Sequence, residues 1–125
     1  MSVTIHWVDT EQTTLCQQFS GNWTREEHAA SYRELMETIE QKPYDVHLLV
    51  DFTTSTAKTS RILTSAPAVV SQKVAENIGM AVVVSKSPIM TAIKQMARVY
   101  TPFLSNIHFV ETVPEARAIL FPAAT

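Results

Sequence analysis

Glycine is almost missing from this chain: Gly21 and Gly79 are the only two among 125 residues. Phosphate-cradling loops need several glycines, because the backbone must approach the phosphate closely and adopt positive φ. Neither G-x-G-x-x-G nor G-x-x-x-x-G-K-[ST] occurs, and the G-x-S-x-G of a nucleophile elbow is missing too. The common mononucleotide and dinucleotide enzymes are therefore disfavoured. Cysteine is as scarce. Cys16 stands alone, so no intramolecular disulfide forms, and no Cys/His spacing suggests a zinc site. Neither sign of charge dominates: the net charge is −2, which gives no strong field for nucleic acid or an anionic membrane. No apolar run approaches the ~20 residues that span a bilayer, and "MSVTIHWVDTEQ" is too polar for a signal peptide. The expectation is a cytoplasmic protein without nucleic-acid partner, membrane insertion, metal or cofactor.

What is present fits one globular domain over 1–125. A chain of this length buries roughly two-thirds of its unfolded surface and needs no covalent staple. "VTIHWV" (3–8) and "TTLCQQFSG" (13–21) alternate and predict an antiparallel hairpin, with Leu15, Gln17 and Phe19 on one face. In "TREEHAASYRELMETIEQK" (24–42), Thr24 and Glu27 make a capping box, Ala29, Tyr32, Leu35, Met36 and Ile39 form an apolar stripe, and Pro43 stops the helix. "DVHLLVDF" (45–52) reads as a strand buried on both faces, as in a parallel sheet. A second helix is expected from about Ala66 to Asn77, with Asn77 and Gly79 as left-handed cap residues. "MAVVVS" (80–85) is the next strand. A third helix follows Ser87 and Pro88 and runs through Ile93, Met96 and Tyr100 to Phe103. "IHFVET" (107–112) is the last strand, and Thr112 with Glu115 makes a second capping box ahead of a final helix. The fold class is α/β: a mixed five-stranded sheet with an N-terminal β-hairpin and about four helices.

That order of elements, at this length, resembles the STAS domain, the SpoIIAA-like fold of anti-sigma-factor antagonists. The phrases "GNWTREE" (21–27), "DVHLLVDFT" (45–53), "VVVSKS" (82–87) and "IHFVETVPEA" (107–116) resemble a small bacterial branch of STAS-like proteins. The resemblance implies a regulatory module that binds a protein partner. In the STAS switches, a Ser or Thr in a D-S-[ST]-G-like phrase after the third strand is phosphorylated by a partner kinase. The corresponding stretch here, "DFTTSTAKTS" (51–60), has hydroxyls on six of the eight residues after Phe52 but neither that phrase nor a glycine. The fold is also similar to the Sec14-type lipid-binding domain.

This stretch is the candidate site. It is expected at the carboxyl edge of a parallel strand, where open α/β sheets tend to bind ligands. Asp51, Ser55, Thr56, Lys58, Thr59 and Ser60 form a candidate set for an anionic or amphipathic ligand or for a phosphate. The competing reading is that the hydroxyls cap turns and helix ends. No paired carboxylates, metal-ligand spacing or nucleophile beside a base marks an enzyme. His47 is expected to make a structural hydrogen bond and Cys16 to fill space in the core. Met90, Met96, Tyr100 and Phe103, with Tyr32 and Met36, read as core or as a pocket lining. Trp23 is placed to staple the first helix. An exposed Trp7 on an open edge would suggest a homodimer interface.

Overall fold

The computed structural model describes residues 2–58, 75–86 and 106–122. The predicted helix over 87–103 lies outside them, as does most of the one expected over 66–77.

Strand β1 (Ser2–Trp7) pairs antiparallel with β2 (Thr14–Gly21), with Trp7 opposite Leu15 and Val3 opposite Phe19. The turn between them is built on one carboxylate. Asp9 accepts from the backbone N–H groups of Thr13 (3.0 Å) and Thr14 (3.1 Å) and from the Thr13 hydroxyl. Burial alone would raise the Asp9 carboxyl, but these hydrogen bonds outweigh it and hold it below the usual range. Gln12 takes the left-handed conformation, φ 59°, that the tight return requires. At the start of β2, the fully buried Thr14 hydroxyl has no hydrogen-bond partner among the described residues, a local cost of about 1–3 kcal/mol.

Helix α1 (Arg25–Glu40) starts as predicted. The Glu27 N–H donates to the Thr24 hydroxyl at 3.1 Å, and the Glu27 carboxylate accepts from the Thr24 N–H at 2.9 Å. Trp23 is fully buried and meets the His28 ring edge-on at 5.5 Å, so the staple forms. The buried stripe contains Tyr32, Leu35, Met36 and Ile39, but also His28 and Ser31, while Ala29 is only half-buried. Ser31 fits because Gln17, itself buried on β2, donates to its hydroxyl at 3.0 Å.

Strands β3 (Val46–Ser55), β4 (Ile78–Val84) and β5 (Ile107–Val110) extend the sheet in the order β1-β2-β3-β4-β5. All contacts after the hairpin are parallel. Period-two alternation sorts the strands' side chains into two layers. Leu15, Leu48, Ala81 and Ile107 stand in one row and pack with α1. Cys16, Leu49 and Val82 stand in the next row, on the other face, where Ala116 and Leu120 of helix α2 (Val113–Leu120) cover them.

Several details differ from expectation, and each has a long-range cause. Asn77 and Gly79 are not left-handed. Residues 75–77 are not helical, and Gly79 lies within β4. The Asn77 side-chain amide instead donates to the carbonyls of Ile39 (2.7 Å), Lys42 (3.2 Å) and Tyr44 (3.0 Å), closing the end of α1. Gly79 makes room for His47: a Cβ there would stand 2.7 Å from His47 Nδ1, which accepts from the Met80 N–H at 2.9 Å. That is the structural hydrogen bond expected of His47. Trp7 is half-buried, and the Lys42 ammonium lies 5.2 Å from its ring centroid. At α2, the Thr112 hydroxyl accepts from the Glu115 N–H at 3.3 Å and donates to the Glu115 carboxylate at 2.9 Å, a variant of the predicted box.

Candidate functional site

The stretch 51–58 is less of a loop than its composition suggests. β3 continues through Ser55, so Asp51 lies inside the strand rather than at its end. Asp51 pairs with Gln18 on one side and Val84 on the other. It is buried, and its carboxylate accepts from the Thr53 N–H at 2.8 Å. This short-range bond accompanies a register shift between β2 and β3: Gln18 faces Asp51, but Ser20 faces Thr54. The extra residue on β3 is a bulge, which re-aims the side chains that follow it.

Beyond the bulge, the hydroxyls of Thr54 and Ser55 fold back onto the protein. Thr54 donates to the Phe19 carbonyl at 3.0 Å and lies 3.2 Å from the Ser20 hydroxyl. The Ser55 hydroxyl accepts from the Trp23 indole N–H at 2.9 Å and from the Ala57 N–H at 3.3 Å. A buried indole needs an acceptor for its N–H, and Ser55 supplies it. The Thr56 N–H donates to the carbonyl of Gly21 at 2.9 Å. Gly21 has φ 62°, a value that glycine adopts without a steric penalty. Thr56 and Lys58 are exposed. Thr59 and Ser60 lie outside the described residues.

Under this corner sits an aromatic cluster. Phe19 stacks on Phe52 with centroids 4.3 Å apart and meets Trp23 at 4.8 Å and His28 at 5.0 Å, both edge-on. Burial pushes the His28 imidazole down to about 4, so it is neutral at pH 7. Cys16 lies on the opposite face. Burial, and then the charge of Asp51, push its thiol up to about 12, which suits packing rather than nucleophilic attack.

The edge therefore divides. Asp51 and Ser55 are tied into the fold, whereas Thr56 and Lys58 face solvent, with Lys86 exposed just past the end of the neighbouring β4. A ligand crevice at such an edge arises where the strand order reverses. The parallel strands here follow one another from β2 to β5 with no reversal. The link from Trp23 to Ser55 was not anticipated from sequence. Its signal was there: an amphipathic aromatic beside a helix cap, and a hydroxyl-rich strand end in need of partners. Among the described residues, no group of three or more His, Cys, Asp or Glu side chains is placed to hold a metal ion. No described helix is long and apolar enough to cross a membrane.

Compared with known proteins, the chain matches no family model and no curated sequence.

Proposed function

We infer that the protein is a non-catalytic, STAS-like interaction module of the SpoIIAA-like fold, a bacterial cytoplasmic regulator that binds a protein partner through the corner formed by 21–27 and 53–58. The observation that supports this most is the contact between one of the resembling phrases and the stretch that ends β3. Gly21 and Trp23 of "GNWTREE" hold Thr56 and Ser55 directly, so one of the phrases that carry the resemblance braces the stretch that corresponds to the STAS regulatory loop. The strands also lie side by side in their chain order, hairpin first, then one crossover after another. In this reading Ser55 is a brace, and the exposed Thr56 and Lys58 form the contact surface.

The test is copurification from the native cells. A partner should be retained in stoichiometric amount by the wild type and lost with Thr56→Arg/Lys58→Glu, a pair of exposed changes that should leave the melting temperature unaltered. Protein that purifies alone would sink the reading. Intact-mass measurement with peptide mapping on the same material reports whether a phosphate sits on 53–60.

A second reading, a small anionic ligand, is favoured by the Lys58 and Lys86 ammoniums beyond adjacent strand ends. It predicts a phosphate-dependent rise in melting temperature that Lys58→Glu removes.

A further inference from the structure

β1 is the outer strand of the sheet, and among the described residues no strand pairs with its free edge. In an antiparallel ladder, alternate residues direct both main-chain groups to the same neighbour. The Val8 N–H donates inward to the Thr14 carbonyl at 2.9 Å. The even-numbered residues of this run therefore serve β2, and Val3, Ile5 and Trp7 turn their N–H and C=O groups outward. Natural edge strands are usually blunted by charge, proline or a bulge. Ser2–Trp7 carries no charged residue and no proline, and its register with β2 continues without a shift from Ser2 to Trp7.

The same three residues carry apolar side chains at the margin of the core. Ile5 and Trp7 pack against the α1-side cluster and Val3 against the aromatic cluster, and all three remain half-buried. The apolar layer thus ends partly open along an edge that also has hydrogen-bonding groups to offer.

We propose that a second copy of this chain closes that edge. β1 pairs antiparallel with β1 of the other copy about a two-fold axis normal to the sheet, so that two five-stranded sheets become one. This symmetry keeps each face on its own side, so only residues of like parity stand opposite one another. Centring on Ile5 sets Ile5 against itself and sets Val3 against Trp7 twice, an aromatic–β-branched pairing. All three outward-facing residues then exchange main-chain bonds, about six across the seam, against about four for a register centred on Thr4. Thr4 and His6, both exposed, become facing non-hydrogen-bonded pairs on the other side of the sheet. A neutral strand meets its own copy without like-charge repulsion, and it offers a charged strand no counter-charge.

Analytical ultracentrifugation of the full chain, from low to several hundred micromolar, should show a reversible monomer–dimer equilibrium. Thr4→Lys combined with His6→Lys puts like charges opposite at both crossings and should weaken the dimer at least about tenfold. Thr4→Lys combined with His6→Glu puts opposite charges there and should tighten it, which a misfolded variant would not do. In a Cys16→Ser background, mixed Thr4→Cys and His6→Cys proteins should form a disulfide-linked pair on mild oxidation, because such positions lie about 4.5 Å apart between Cα atoms. Thr4→Cys alone should not crosslink to itself. A wild type that stays monomeric, a dimer indifferent to both charge pairs, or self-crosslinking of Thr4→Cys overturns the proposal. Dimerisation is measured on this chain alone, so its failure leaves the regulatory reading standing.

Discussion

His28 is a residue whose chemistry departs from what its type suggests. It lies on the buried side of α1, against the edges of Phe19 and Trp23, with its imidazole pushed down to about 4 from an ordinary 6.5. The unfolded chain takes up this proton below about pH 6.5, and the folded chain only near 4. Its contribution to stability is therefore complete above pH 6.5 and is lost as pH falls from 6.5 towards 4, up to roughly 3 kcal/mol by linkage. Urea denaturation across that window should show the wild type losing stability faster than His28→Leu. Parallel curves would mean that the ring is solvated when protonated. Carboxylates titrate in the same range, which is why the difference between the two proteins is the informative quantity.

At the scale of elements, the joint between α1 and β4 carries the most consequence per residue. One amide, from Asn77, serves the Ile39 carbonyl in the last turn of α1 and the Lys42 and Tyr44 carbonyls just beyond it, and the Asn77 carbonyl accepts from the Val46 N–H at 2.9 Å. Asn77→Ala should cost about 2 kcal/mol. It should also speed amide exchange in the last turn of α1 while the first turn, held by its own capping box, stays protected; uniform exchange along the helix would contradict this role. The same contrast explains what was legible in the sequence. The Thr24–Glu27 box, the hairpin and the helical stripe are encoded within a few residues of one another, and their readings hold. Asn77 and Gly79 looked like helix caps because Asn and Gly cap helices locally, but their partners, Ile39 to Tyr44 and His47, lie more than thirty positions away. The candidate site shows this too. Its position after the third strand is readable, whereas the β3 bulge opposite Gln18–Ser20 and the Trp23–Ser55 bond, which decide which hydroxyls are occupied, depend on long-range contacts.

At the scale of the molecule, the described residues form a sheet with α1 on one face and α2 on the other, and Cys16 reports on whether that sandwich is closed. The thiol is almost fully buried and pushed up to about 12. A thiol reagent should modify Cys16 only through opening of the fold, at a rate that climbs with added urea. Immediate labelling in native buffer would show that the face over β2 is accessible. The Asn77 clamp also has a consequence for the order of assembly. A chain growing from its amino terminus completes β1, β2 and α1 well before Asn77 is made, so the turn after the helix, with its Lys42 and Tyr44 carbonyls, waits for its clamp. The amino-terminal half thus lacks both this clamp and the parallel partner of β3 until β4 is made. Chains that stop short of β4 lack both contacts and should be removed by proteases faster than chains that reach it, which pulse-chase of truncated forms would measure.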